Sequence, residues 1–466
     1  MAATTVPKYR ERVGFIDYVS YAAGDFGCNM AFTLAGSYFT LFFTQFMGIS
    51  SLTFAGIMVF LKIWDAVNDP LIGGIMDSTR REYKRGKFRT FMFYGSFLLF
   101  LSGLLCFLPV PGAPDIAKVI LCIVGYMLYD CAYTLVNVPY GSLLAAITPE
   151  PGERTTLSAA RQAGSFLATL IAGSLLPLII YDANNNLMGE RLFMAALILG
   201  VIGFIAIQFT CATTVERVQP KETAAQEKFN YFKALGNFLH NRAAIGATLP
   251  AVGMFLGTYG VTTATQVLFQ SYFHNAALSG FATLCMQVPM FLFMPFMHKI
   301  VDRFGKKESC TVGAAFTVLV AVLMLVLPIS PDTNGIIVFY VLLILNGVGL
   351  GMFMCCMYAL IADAIDYNEW KTGRRDEGTT YSLYVFFRKL TNGLAPSLGL
   401  VVMVALGYNE ALGAAQPADV ALSMRYMVAG GYLLSALIEF LSLKFVYNID
   451  KKTLATMEAD LHHIEC

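Results

Sequence analysis

Long apolar runs separated by short polar breaks fill this chain, and the runs lack the one-sided stripe of a soluble amphipathic helix. An apolar run of about 18 or more residues is long enough to cross the hydrocarbon core of a bilayer as a helix. By that measure the sequence predicts twelve spans: 16–46, 51–76, 91–110, 117–147, 159–181, 191–213, 243–271, 277–300, 310–330, 335–364, 379–407 and 421–447. Several exceed the crossing length, so those helices must tilt, bend or protrude. Pro139, Pro289, Pro295 and Pro396 fall inside spans, which is tolerable where neighbouring helices satisfy the freed carbonyls. The expected fold class is an all-α membrane protein.

The loops set an orientation. Arg80, Arg81, Lys84, Arg85, Lys87 and Arg89 follow the second span, Arg303, Lys306 and Lys307 the eighth, and Lys371, Arg374 and Arg375 the tenth. Loops on the other side, such as 46–50 and 327–332, carry no Lys or Arg. Basic loops stay in the cytoplasm. With an even number of spans both termini are expected there too. The second and eighth spans each end in an acid followed by a basic loop with a Gly-Lys pair (GGIMDSTRREYKRGKFR and HKIVDRFGKKES), six spans apart. The longest polar stretch, 214–242, falls between spans six and seven. This layout predicts a six-helix half over 1–213, a cytoplasmic linker over 214–242, a second half over 243–450 and a cytoplasmic tail over 451–466.

Composition agrees. Hydrophobic residues are 57% of the 466 and charged residues only 14%, too few to cover a soluble surface. The net charge of +1 and the confinement of basic residues to short loops argue against a nucleic-acid partner. The first apolar segment contains Asp17 and Asp25 and is too long for a signal-peptide core. The ten cysteines show no metal-ligand spacing and read as small buried hydrophobes. His462 and His463 read as solvated tail residues. No zinc motif, nucleophile constellation or cofactor fingerprint suggests an enzyme.

Ionisable side chains at membrane depth are costly and mark functional sites or interhelical pairs. Here they cluster: Asp25 in span one, Lys62, Asp65 and Asp69 in span two, Asp130 in span four, Arg161 in span five, Arg388 and Lys389 in span eleven, and Glu439 in span twelve. Asp65 and Asp69 are four apart and share a helix face, with Asn68 in the same neighbourhood. Two such carboxylates repel unless something positive intervenes. A bound Na⁺ or a shared proton meets that need, and Lys62 offers a structural alternative. Asp130, Thr134 and Asn137 line one stripe of span four, and oxygen ligands of these kinds suit hard cations. Tyr126, Tyr129, Tyr133 and Tyr140 give that helix aromatic faces suited to a sugar pocket or to a membrane interface.

The run KIWDAVNDPLIGGIMDSTRREYKRGKFR resembles the second-helix signature of the glycoside–pentoside–hexuronide:cation symporters, the melibiose-permease family of the major facilitator superfamily. GDFGCNMAF, YTLVNVPYGSLLAAIT with RTTLSAARQAGS, and DAIDYNEWKTGRRDEGTTYSLYVFFRKLTNG resemble the family's first, fourth to fifth, and tenth to eleventh helices. The resemblance covers the whole chain. It implies the major facilitator fold, twelve transmembrane helices in two six-helix halves, and alternating access. It also implies that Asp65 and Asp69 are the cation-site aspartates (metal ligands if the ion is Na⁺), with Asn68 and Thr134 as further oxygen ligands. Arg161, Lys389, Trp64 and Tyr133 match positions near the sugar.

Two departures bear on substrate. Asn29 and Asn137 stand where melibiose-type members carry aspartates, which removes negative charge from the implied pocket. Arg161 and Lys389 then suit an anionic glycoside such as a uronide, unless Asp25 and Asp130 balance them. The resulting expectation is symport of a sugar or glycoside with Na⁺ or H⁺ as coupling ion and no cofactor. The family resemblance adds a monomer in a bacterial inner membrane. A lysolipid transporter of the same fold is the alternative.

Overall fold

A computed structural model describes residues 13–78, 85–148, 151–217, 236, 238–373 and 377–464. The long helices are α1 (Phe15–Leu41), α2 (Ser51–Ser78), α3 (Lys87–Cys106), α4 (Asp115–Ile147), α5 (Pro151–Leu170), α6 (Gly189–Thr213), α7 (Arg242–Gly260), α8 (Ser279–Phe304), α9 (Lys306–Val326), α10 (Thr333–Thr372), α11 (Glu377–Ala405), α12 (Ala418–Leu441) and α13 (Lys451–Ile464). Among the described residues, ten helical stretches are long and apolar enough to cross a membrane. The remaining two expected spans are α2 and α11, helical over 28 and 29 residues and outside those ten. At 1.5 Å per residue, helices of that length reach ~40 Å, more than a hydrocarbon core.

Large apolar side chains cover the outside: Ile116 is 76% exposed and Val326 74%. Such a surface is unfit for water and fits lipid. Small residues such as Ala243, Ala244, Ala247 and Ala251 turn inward and let helices approach closely.

The chain forms two compact units, residues 1–224 and 225–466. In the first, α1 packs on α5 and α6, α3 on α4 and α6, and α2 on α4. In the second, α7 packs on α11 and α12, α9 on α10 and α12, and α8 on α10. The pairings are the same once six is added to each label. The Gly-Lys pairs repeat as well. Gly86 precedes α3 with φ 94° and ψ 158°, and Gly305 precedes α9 with φ 102° and ψ 157°. Both positions need a residue without a Cβ, which explains why the two basic loops share this dipeptide.

Two helix ends depart furthest from the sequence expectation. α5 starts at Pro151, eight residues before the expected span, and α10 continues to Thr372 before Gly373 closes it in the left-handed region at φ 68°. The expected tail is the helix α13. The expected linker begins as fixed structure: Glu216 accepts from the backbone N–H of Lys87 (3.0 Å) and Arg89 (2.9 Å) at the start of α3. Linker residues 218–235 and 237 lie outside the described residues, as do Arg80, Arg81, Lys84, Arg374 and Arg375. All nine described cysteines are free thiols.

Candidate functional site

The polar residues of α2 and α4 meet inside the first unit. Lys62, Asp65 and Asn68 are three apart, so they climb one face of α2. Tyr126, Asp130 and Thr134 are four apart and face them from α4. Lys62 Nζ lies 2.6 Å from Asp65 Oδ2 and donates to the Tyr126 hydroxyl at 2.6 Å. One turn on, Asn68 Nδ2 donates to Asp130 Oδ2 at 2.8 Å and to Thr134 Oγ1 at 3.4 Å. Cys131 Sγ donates to Asn68 Oδ1 at 3.2 Å. Asn68 is thereby held in one orientation and is only 3% exposed. Asp65 Oδ1 is buried and has no hydrogen-bond partner among the described residues.

Four of the expected cation ligands are therefore on α2 and α4, and three of them are described: Asp65, Asn68 and Thr134. The side chain of Asp69 lies outside the described residues. Where the sequence left open what sits beside Asp65, the structure places the Lys62 ammonium there. The ammonium holds Asp65 Oδ2 and leaves Oδ1 without a hydrogen-bond partner among the described residues.

A second group lies between α1 and α5. Arg161 Nε donates to Asp25 Oδ1 at 2.9 Å, and Asn29 Nδ2 donates to Asp25 Oδ2 and to the Asp25 carbonyl, both at 2.9 Å. The guanidinium sits over the ring of Tyr140, 4.9 Å from its centroid. That ring stacks on Tyr21 at 4.7 Å, and its hydroxyl donates to the Tyr21 carbonyl at 2.6 Å. Arg161 is thus held by a carboxylate at one edge and an aromatic face below, a use of planarity that lysine cannot copy. Tyr133 is stacked between neighbours, 6.3 Å from Tyr129 and 5.7 Å from Phe32. Trp64 is half-buried and Asn137 half-buried on their helices.

The cations of the first unit's two groups each face a carboxylate. Arg161 is matched by Asp25 and Lys62 by Asp65. Asp130, bonded to Asn68, adds a third carboxylate beside these two cations. Sequence reading missed Tyr126 as the partner of Lys62 and Tyr140 as the platform of Arg161. The regular tyrosine spacing on α4 was the available signal.

Arg388 and Lys389 belong to the second unit. Arg388 donates to the Tyr358 hydroxyl and lies 5.7 Å from the Phe255 ring centroid. Lys389 is exposed.

Comparison with known proteins agrees with this architecture. A family model described as MFS/sugar transport protein matches residues 20–451. An uncharacterized symporter of Bacillus subtilis, YjmB, is 30% identical over 97% of this chain and 96% of its own. The isoprimeverose transporter of Lactiplantibacillus pentosus is 29% identical over 97% of this chain and 92% of its own. A glucuronide carrier protein homolog of Escherichia coli is 27% identical over 84% of this chain and 83% of its own. Among solved structures, a bacterial homolog of the human lysosomal transporter Spinster superposes with TM-score 0.64 at 15% identity, covering 95% of this chain and 97% of that one. A D-xylose–proton symporter superposes with TM-score 0.57 at 14% identity, covering 93% and 98%. Those two likenesses concern the fold. The sequence matches go further, and on them the chain belongs to the MFS/sugar transport protein family of membrane transporters.

Proposed function

We propose that this sugar transporter couples its solute to a monovalent cation, Na⁺ or H⁺, at the Asp65, Asn68 and Thr134 cluster, with Asp69 completing it. The observation that carries this is the 2.6 Å Lys62–Asp65 contact beside an unpartnered Asp65 oxygen. In that arrangement the ammonium holds the site until a cation arrives. The cation takes the carboxylate, Lys62 keeps its bond to Tyr126 alone, and α2 and α4 settle around the ion. Differential affinity for the loaded state is what drives the change of access.

The solute is a small sugar or glycoside, and Arg161, Asn29, Trp64, Tyr133 and Asn137 of the first unit are the side chains that would bind it there; Lys389 of the second unit is a further candidate by its family match. The Arg161–Asp25 pair favours a neutral hydroxyl-rich ligand, since the guanidinium is already matched and the pair presents both donors and acceptors. Isoprimeverose and glucuronides form the starting panel, by analogy with the relatives. The orientation follows the basic loops, with both termini cytoplasmic in an inner membrane, and the protein works as a monomer.

Uptake of the radiolabelled panel into proteoliposomes, with an imposed Na⁺ gradient at fixed pH or a pH gradient without Na⁺, tests the reading. Accumulation driven by one gradient and abolished by Asp65→Asn supports it. Equal uptake with and without either gradient refutes coupling. Uptake of lysolipid with no uptake of any sugar refutes the solute class.

A further inference from the structure

Glu439 on α12 is fully buried, and neither of its carboxylate oxygens has a hydrogen-bond partner among the described residues. Ser435, four residues earlier on the same face, is also buried with its hydroxyl unpartnered. Asn346 on α10, in the interior of the same unit, is 0% exposed with both amide atoms unpartnered. Buried polar atoms in native interiors nearly always have partners, and unpaired ones point to water, ions or a working group.

The surroundings of Glu439 offer no counter-charge. α12 packs here on α7 and α9. From α9, Cys310 is its electrostatic neighbour. Lys306 of that helix is bound to Asp363 at 2.6 Å, Lys307 faces Asp450, and Glu308 receives the Lys451 backbone N–H at 3.3 Å. From α7, Arg242 donates to the Phe445 and Val446 carbonyls, and Tyr259 stacks on Phe255. The segment from Thr262 to Tyr272, which packs farther along α12, brings Tyr272, whose hydroxyl donates to the Ile329 carbonyl. On α12 and its extension, Arg425 gives Nη1 and Nη2 to the carbonyls of Leu325, Leu327 and Ile329, about four turns from Glu439, Tyr432 donates to Met286 Sδ, and Lys444 lies over Phe440. Every described cation on these elements is engaged elsewhere.

An ionised carboxylate with neither hydrogen bond nor counter-ion is among the least tolerable groups in such an interior. A purely structural acid would use its oxygens as acceptors, and this one does not. We propose that Glu439 is a proton-binding site of the C-terminal half. It holds H⁺ as –COOH while α7, α9 and α12 are closed around it. When water reaches it, it gives that proton up, –COOH and H₂O becoming –COO⁻ and H₃O⁺. Gly253 and Gly257 of α7 are the close-packing points whose separation admits that water: a Cβ at Gly257 would stand 2.9 Å from Ser435 Oγ. The site is separate from the cluster on α2 and α4. Only its consequence for uptake rests on the transport reading.

Infrared spectroscopy of the purified full-length protein in lipid tests the site directly. Wild type is expected to show a carboxylic-acid C=O band at neutral pH that is lost in Glu439→Gln and that shifts in D₂O. No lost band, or a band that never shifts in D₂O, overturns the proposal. In proteoliposomes, Glu439→Gln is expected to keep solute counterflow, which shows that it is folded, and to lose pH-driven accumulation, while Glu439→Asp keeps both. Wild-type accumulation by the Gln variant overturns the proposal. Wild type that moves none of the sugar panel refutes the transport reading instead, and the infrared result still decides the proton site.

Discussion

Arg217 Nη2 lies 3.1 Å from both carboxylate oxygens of Asp17, a residue 200 positions earlier at the start of α1. The same arginine donates its backbone N–H to the Ala146 carbonyl at 2.7 Å, at the end of α4. Its neighbour Glu216 caps α3. Two residues just beyond α6 therefore tie down the ends of three other helices. Lys306 and Asp363 join α9 to α10 in the second unit.

The Arg217–Asp17 pair is nearly dry, with side chains 13% and 3% exposed. Removing one partner of a buried pair costs ~3–5 kcal/mol, because the other is left charged and unmatched. Arg217→Gln should lower the thermal midpoint of the detergent-purified protein clearly, and Asp17→Asn likewise. The double variant should lose less than the sum of the two. Additive losses, read by fluorescence-detected thermal unfolding, would show that the two side chains are not coupled.

Under the proposed coupling, Lys62 competes with the cation for Asp65. Lys62→Gln should therefore lower the cation concentration that half-saturates uptake, by ~3–10-fold for a contact worth about 1 kcal/mol at this partly exposed site. Asp65→Asn should abolish cation dependence while leaving counterflow measurable. A Lys62→Gln variant with a raised cation requirement would show instead that the ammonium helps build the site. Initial uptake rates against Na⁺ concentration, and against pH, distinguish the two.

Asp25 neutralises Arg161, so the pair should govern preference between neutral and anionic glycosides. Asp25→Asn keeps the shape and one acceptor oxygen, gives up one of the two hydrogen bonds that the carboxylate accepts, and frees the guanidinium charge. Competition assays should show uronides gaining potency over their neutral counterparts, by ~10-fold for each 1.4 kcal/mol of charge uncovered. Arg161→Lys should weaken binding of both classes, since the ammonium cannot match the carboxylate edge and lie flat on Tyr140 together. An unchanged uronide-to-neutral ratio in Asp25→Asn would remove the pair from substrate selection.

What the sequence made legible was whatever a single helix encodes. The spans follow from apolar run length. The shared face of Lys62, Asp65 and Asn68 follows from i, i+3 spacing. Partners from distant segments did not show. Arg161 finds Asp25 from 136 residues away and Lys62 finds Tyr126 from 64, and no local pattern specifies either. Helix ends were misjudged where a polar stretch stays helical. ADAIDYNEWKT at the end of α10 is too hydrophilic to count as a span, yet its last turns continue the helix. There Trp370 Nε1 donates to Asp460 of α13 at 2.9 Å, and Lys371 lies 3.7 Å from the Trp370 ring centroid. Glu216 and Arg217 read as linker because their charge suggested solvent, whereas helix ends in this unit supply them with partners.

Close helix crossing in the first unit depends on Gly27 of α1. A Cβ there would stand 2.6 Å from the Gly203 carbonyl oxygen and 2.7 Å from Ile207 Cγ1 on α6. The first neighbour is backbone, so α1 and α6 must separate to admit a methyl group. Overpacking of this kind costs ~1–3 kcal/mol. Gly27→Ala should destabilise the protein by that much. It should also slow transport, because α1 carries Asp25 and Asn29 within one turn of the crossing and must shift them with it. Gly36→Ala is the control: the same helix has nothing within 4 Å of that added Cβ, and alanine favours the helix. Thermal unfolding of the two variants side by side should give a lowered midpoint for Gly27→Ala and an equal or raised one for Gly36→Ala. Equal midpoints would mean that the α1–α6 contact relaxes freely, and that the position of Asp25 is set by Arg161 rather than by helix packing.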